Sequence, residues 1–321
     1  MVILIIIIIL SLVLFTLIAS FYYLNKKSDT ASAKKQTKSK RKDITKTISP
    51  EIEKKLKETF KGKYSNINSI KASGIGLTVH ATDNKNSHKV IIKTINPDLQ
   101  NEEEALDKFY KEIDAIKRLN HPNVARILEI VNNEAMHYYV TEFLEGQTLK
   151  SLLEKEGKLP EKKVVFILTQ VLKAILHCHT NKIIHRDIQP ANIFITQKET
   201  IKLINFGIVK ILSSHYDVMK ASTRTGTPLF GSPEQIQGLA ITSNSDVYSL
   251  AVCAYYMLTN HFPFKNTFSA LDPNNKPIDI KKHCPDLSPK ITELIYTCLE
   301  HSPEKRLSSM DLWKELHFMN Q

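Results

Sequence analysis

Apolar positions fall into three regimes along the chain. Residues 1–25 carry no charge and are dominated by Ile, Leu, Val and Phe. As a helix, Val2 to Leu24 would reach about 34 Å, enough to cross a bilayer. From 26 to 63 the chain is polar and rich in Lys, Ser and Thr, which predicts a linker with a short helix over Glu51 to Phe60. Beyond Tyr64 the apolar residues return in short runs. Leu77 to Ala81, Val90 to Ile95, Ala125 to Val131 and His137 to Phe143 predict strands, interrupted by a helical pattern from Glu103 to Leu119. After Gln147 the spacing lengthens to that of helices. These cover Leu149 to Glu156, Glu161 to Thr180 with apolar residues at 164, 167, 168, 171, 172 and 175, Ser245 to Thr259, Pro289 to Leu299 and Ser309 to Phe318. A mainly β half followed by a mainly α half predicts an α+β domain over 64–318, with two segregated lobes joined near Glu142 to Gly146. A ligand cleft is expected between the lobes.

Charge sharpens the reading of the N-terminus. Between Lys26 and Lys46 stand nine Lys/Arg against two Asp, +7 of the chain's net +11. A basic segment beside an apolar span stays on the cytoplasmic side, so the expected topology is a single-pass anchor over 1–25, N-out and C-in. Ala31, Ser32 and Ala33 would suit cleavage of a leader, but the basic start of a leader is missing and the apolar run is too long for one. Anionic-lipid contact by the basic segment is a further expectation, at about 1 kcal/mol per Lys or Arg near the surface. Nucleic-acid binding is not expected, because the basic run lacks interleaved aromatics and abuts the apolar span. The four cysteines, 178, 253, 284 and 298, form no CxxC pair and read as reduced core thiols.

Chemistry concentrates in spaced motifs. They are VIIK ending at Lys93, FYKEIDAIKRL with Glu112, HPNV at 121–124, YVTEFLEG at 139–146, IIHRDIQPANIFI at 183–195, LINFG at 203–207, GTPLFGSPEQ at 226–235 and SDVYSLAV at 245–252. In this order, over roughly four-fifths of the chain, they resemble the eukaryotic-like Ser/Thr protein kinase domain. The resemblance implies a small β-rich lobe with one long helix and a larger helical lobe. It implies ATP with Mg²⁺ or Mn²⁺, and a protein substrate or a partner kinase. Lys93 would hold the α/β-phosphates and Glu112 would pair with it. Asp187 would accept or orient the substrate hydroxyl proton, and Asn192 and Asn205 would ligate metal. The adenine would meet Val79, Ile91, Thr141 and the backbone of Glu142 to Leu144, with Gly74 and Gly76 over the phosphates. Arg186 beside Asp187 suggests a partner for a phosphorylated residue among Ser222, Thr223 and Thr225. Thr227 would face the catalytic Asp. Glu234 and Arg306 would brace the large lobe, and Asp246 would hold the catalytic loop.

Departures from the family pattern cluster around the nucleotide. Ala72 and Leu77 stand in two of the three glycine places of the phosphate loop. Ile91 replaces a small alanine over the adenine. Gln189 replaces a lysine at the γ-phosphate, and Asn205 supplies a neutral oxygen where the family has a carboxylate. The sequence therefore supports ATP-dependent phosphorylation of protein Ser/Thr with an atypical metal site. Its alternative is an inactive scaffold or allosteric regulator built on the same fold.

Overall fold

The computed structural model describes residues 50–73, 76–95, 103–133, 136–206 and 228–319, all within one compact unit that spans 48–321. The apolar run and the whole basic segment, Lys26 to Lys46, lie outside these residues. Among the described residues no helix is long and apolar enough to cross a membrane.

The chain enters on helix α1 (Pro50–Phe60), with Glu51 and Glu53 in its first turn and Lys57 in its last, charges that suit the helix dipole. Five antiparallel strands follow, β1 (Tyr64–Ser73), β2 (Gly76–Asp83), β3 (Lys89–Ile95), β4 (Ile127–Asn133) and β5 (Met136–Glu142), in sheet order β1-β2-β3-β5-β4. Helix α2 (Glu103–Lys117) lies between β3 and β4 in sequence.

Alternation along a strand sends neighbouring side chains to opposite faces. On β3, Val90 and Ile92 point one way, and Ile91 and Lys93 the other. The Val90/Ile92 face is closed by α1: Leu56 and Phe60, both fully buried, join Leu77, Val79, Ala81, Met136, Tyr138 and Val140 in one cluster. The Phe60 ring packs edge-on to Tyr64 at 5.8 Å and Tyr138 at 5.2 Å. An ion pair from Lys63 to Glu129, 2.6 Å, pins the end of the helix to β4. The short helix expected within the linker is thus a packed element of the small lobe. Residues 50–60 fold with the domain because Leu56 and Phe60 have an apolar sheet face to bury against.

The large lobe is built around helix α4. It opens with β6 (Gly146–Thr148) and α3 (Leu149–Glu156), capped by the Thr148 hydroxyl accepting from the Ser151 N–H. Helix α4 (Glu161–Thr180) buries the six apolar positions that its spacing predicts. Strands β7 (Ile193–Thr196) and β8 (Ile201–Leu203) join β6 in a second small sheet. After α5 (Pro233–Ile236) comes α6 (Ser243–Thr259), which is buried all round and apolar accordingly. Helices α7 (Thr267–Leu271), α8 (Pro289–Cys298) and α9 (Ser309–Met319) complete the lobe, and α9 packs on α4.

Candidate active site

The loop 185–192 is held from below by one carboxylate. Asp246, at 1% exposure on α6, accepts from the backbone N–H groups of His185 and Arg186, each at 2.9 Å. His179 Nε2 also meets Asp246, at 2.9 Å, while its Nδ1 meets the Ser309 hydroxyl. Arg186 sits at φ 67, a left-handed conformation that a non-glycine residue adopts at a cost of order 1–3 kcal/mol. Those bonds, and one from Gln235 Nε2 to the Arg186 carbonyl at 2.8 Å, hold it there. His185 is fully buried. Its Nδ1 accepts from the Asp187 N–H, so its Nε2–H donates to the Ile204 carbonyl, and its ring packs 4.6 Å from Phe206.

Above this base runs a hydrogen-bonded chain of side chains. Gln189 Nε2 donates to Asp187 Oδ1 at 2.8 Å, and Asn192 Nδ2 donates to Asp187 Oδ2 at 2.6 Å. An ionised carboxylate only accepts, so the Asn192 amide must turn its NH₂ to Asp187 and its oxygen away. That oxygen accepts from Asn205 Nδ2 at 3.0 Å. The Asn205 oxygen then accepts from the Lys93 ammonium, which has no acceptor capacity of its own. Donor and acceptor chemistry thereby fixes both amides. Burial pushes the Lys93 ammonium down to about 8. Asn205 sits at φ 56, where asparagine is among the best-tolerated residues after glycine.

The residues expected to hold metal are therefore adjacent, but both amide oxygens are neutral and both are engaged by N–H donors. Mg²⁺ prefers carboxylate and phosphate oxygens in a strict octahedron. Among the described residues no cluster of three or more His, Cys, Asp or Glu is placed to hold a metal ion. In this arrangement the set does not fit a divalent cation.

At the base end, Ile91 pairs with Thr141 and Lys93 with Tyr139, so these four share one face of the sheet. The expectation for Val79 needs correction. It pairs with Ile92 and is fully buried under α1, on the opposite face from Lys93. Thr78 and His80 take the site face instead, and the His80 ring lies 5.7 Å from Phe143. Leu77, which stands in a glycine place of the phosphate loop, also turns into the α1 cluster. Gly76 is required where it stands, since an added Cβ would collide with the Thr94 carbonyl. Glu142 accepts from the Arg126 N–H and from Lys202, both at 2.8 Å. The half-buried Leu144 finds no partner for its N–H among the described residues, which leaves a backbone donor for a base edge.

Three expectations fall outside what the structure describes: Gly74, the side chain of Glu112 and hence its pairing with Lys93, and the segment with Gly207, Ser222, Thr223, Thr225 and Thr227. The brace is present: Arg306, with no exposed side-chain surface, makes two bonds to Glu234 at 2.8 and 2.9 Å. Sequence reasoning missed Gln235 as a support for Arg186, and His80 and Tyr139 as residues on the Lys93 face. Strand alternation counted from Lys93 would have found Tyr139 once the β3–β5 register was known.

The family model described as protein kinase domain matches residues 64–318. A probable serine/threonine-protein kinase of Clostridium perfringens is 30% identical over 248 residues, covering 76% of this chain and 36% of that protein. The serine/threonine-protein kinase PrkC of Bacillus subtilis is 34% identical over 203 residues, covering 63% of this chain and 31% of PrkC. The chain thus spans about a third of the length of these relatives. The kinase domain of Mycobacterium tuberculosis PknI has the same fold, with a TM-score of 0.62 at 20% identity over 80% of this chain and 96% of that one. Two lobes, a loop over 185–192 anchored by Asp246 and a family match over most of the chain agree: the chain belongs to the protein kinase domain family.

Proposed function

We propose that the protein transfers the γ-phosphoryl group of ATP to a serine or threonine hydroxyl of a protein substrate. The observation that carries this reading is the placement of Asp187, whose carboxylate is held by Gln189 and Asn192 on a loop that Asp246 fixes from below. A base held in this way can take the substrate's hydroxyl proton as the oxygen forms its bond to phosphorus and the bond to the β-phosphate oxygen breaks, releasing ADP. Lys93 would bear on the α/β-phosphates, and the Leu144 N–H would meet the adenine edge. Gln189 holds Asp187 in line and adds no charge to the transferred group. Family members use ATP and a divalent ion. The Asn192 and Asn205 amide oxygens, both neutral and both accepting from N–H donors, do not fit such an ion.

The second reading is a scaffold or allosteric regulator of a partner kinase. It is favoured by one neutral amide, Asn205, and one glutamine, Gln189, where the family carries charge, since one preorganised electrostatic group contributes about 10²–10³ in rate. The two readings separate in one assay, transfer of label from γ-labelled ATP to a generic protein substrate by the full chain and by Asp187→Ala. Label that depends on Asp187 supports the enzyme. Label that survives Asp187→Ala, or no label from the wild type, sinks it.

The uncharged N-terminal run and the basic segment after it support a single-pass anchor with the kinase domain on the cytoplasmic side, near anionic lipid. Recovery of the full chain in the soluble fraction of cells would refute this.

A further inference from the structure

The Asn205 amide does something a carboxylate in its place cannot. It donates to Asn192 Oδ1 at 3.0 Å and accepts from Lys93 on its other side, closing a continuous path from Lys93 to Asp187. With aspartate at 205, two oxygens would face each other across that gap, because Asn192 must keep its NH₂ on Asp187. Two acceptors in contact repel, and a proton, a cation or a water donating to both must come between them. The asparagine supplies an N–H there instead. The same substitution removes one negative charge from the groups around Lys93, lowering the repulsion that an incoming triphosphate would meet and that a cation would otherwise neutralise.

We propose that the Asn192–Asn205 amide pair takes the place of the divalent cation in this cleft, so that the protein binds ATP uncomplexed by metal. This rests on the reading of the cleft as an ATP site. The amides hold the phosphate-facing groups in register, and Lys93 carries the positive charge.

The test is calorimetric titration of ATP into the full chain in detergent, in excess EDTA and in excess Mg²⁺, with thermal melting of the protein in Mg²⁺ alone. Wild-type affinity is expected to change by less than about threefold between the two conditions, and Mg²⁺ alone should leave its melting temperature unmoved. Asn205→Asp should lose about tenfold or more of its ATP affinity in EDTA, regain it in Mg²⁺ and melt higher when Mg²⁺ is added. If Asn205→Asp does not fold, Asn205→Ser, which keeps a short donor and adds no charge, should still bind in EDTA. Wild-type binding that requires Mg²⁺, or a wild-type melting shift with Mg²⁺ alone, overturns the proposal and leaves the ATP site standing. Absence of binding in both conditions overturns the proposal and the ATP site together.

Discussion

Replacing Phe60 by alanine should destabilise the small lobe severely, although the residue lies just before the region that the family model matches. Phe60 is fully buried, and its ring lies 5.2 Å from Tyr138 and 5.8 Å from Tyr64 in edge-on contact. Deleting a buried phenylalanine costs about 3–5 kcal/mol, of which each aromatic pair accounts for about 0.5–1.5 kcal/mol. The assay is urea unfolding followed by circular dichroism, with Lys54→Ala as control. Lys54 is on the same helix with a side chain 79% exposed, so its replacement should shift stability by less than about 0.5 kcal/mol. The slope with urea should stay constant. A loss under about 1 kcal/mol for Phe60→Ala at constant slope would refute the argument that α1 closes the outer face of the sheet whose inner face carries Lys93.

Glu234→Gln should cost about 3–5 kcal/mol, because it leaves the Arg306 charge buried without its partner. Burial alone would raise the Glu234 carboxyl, but hydrogen bonds from Arg306 and Ser245 outweigh it and hold the pKa below the ordinary glutamate value. The pair's stabilisation is therefore present above the unfolded-state pKa and is lost as pH falls through the lower folded value. Acid melting curves of wild type and Glu234→Gln should converge below that point, and parallel curves throughout would show that the carboxylate charge is not the source. Val79→Ala should cost about 2 kcal/mol of stability yet leave ATP affinity unchanged, since Val79 faces α1; a several-fold loss of affinity with stability intact would put Val79 back in the cleft. Thr141→Met, on the face with Ile91 and Lys93, should do the reverse and weaken ATP binding in the same titration, and an unchanged Kd would remove Thr141 from the pocket wall.

Much of the large lobe was legible because its signals are local. The apolar spacing of α4, the run that became α6 and the polypeptide around Asp187 each carry their meaning within a few residues. The pairing of Glu234 with Arg306 was legible only through the family resemblance, as 72 residues separate them. The small lobe was less legible. The packing of α1 depends on an apolar sheet face that forms only once β2, β3 and β5 have paired. The family resemblance puts Val79 at the adenine, whereas the pairing of Val79 with Ile92 decides which face it takes. A shift of one residue in register reverses every side chain. Strands β6 and β8 have three residues each, too few to show a period. The direction of the amide chain through Asn192 and Asn205 was illegible from residue identities. It follows from donors and acceptors that only the fold brings together.

The most direct test of the central claim is to measure kcat for phosphoryl transfer and Kd for ATP in parallel, on the full chain and on Asp187→Asn, which keeps the shape of the side chain and removes the base. A fall in kcat of about 10²-fold or more, with Kd unchanged within about threefold, is the predicted result. Equal kcat for the two proteins would contradict Asp187 as the base, and undetectable transfer by the wild type despite ATP binding would make the protein a scaffold.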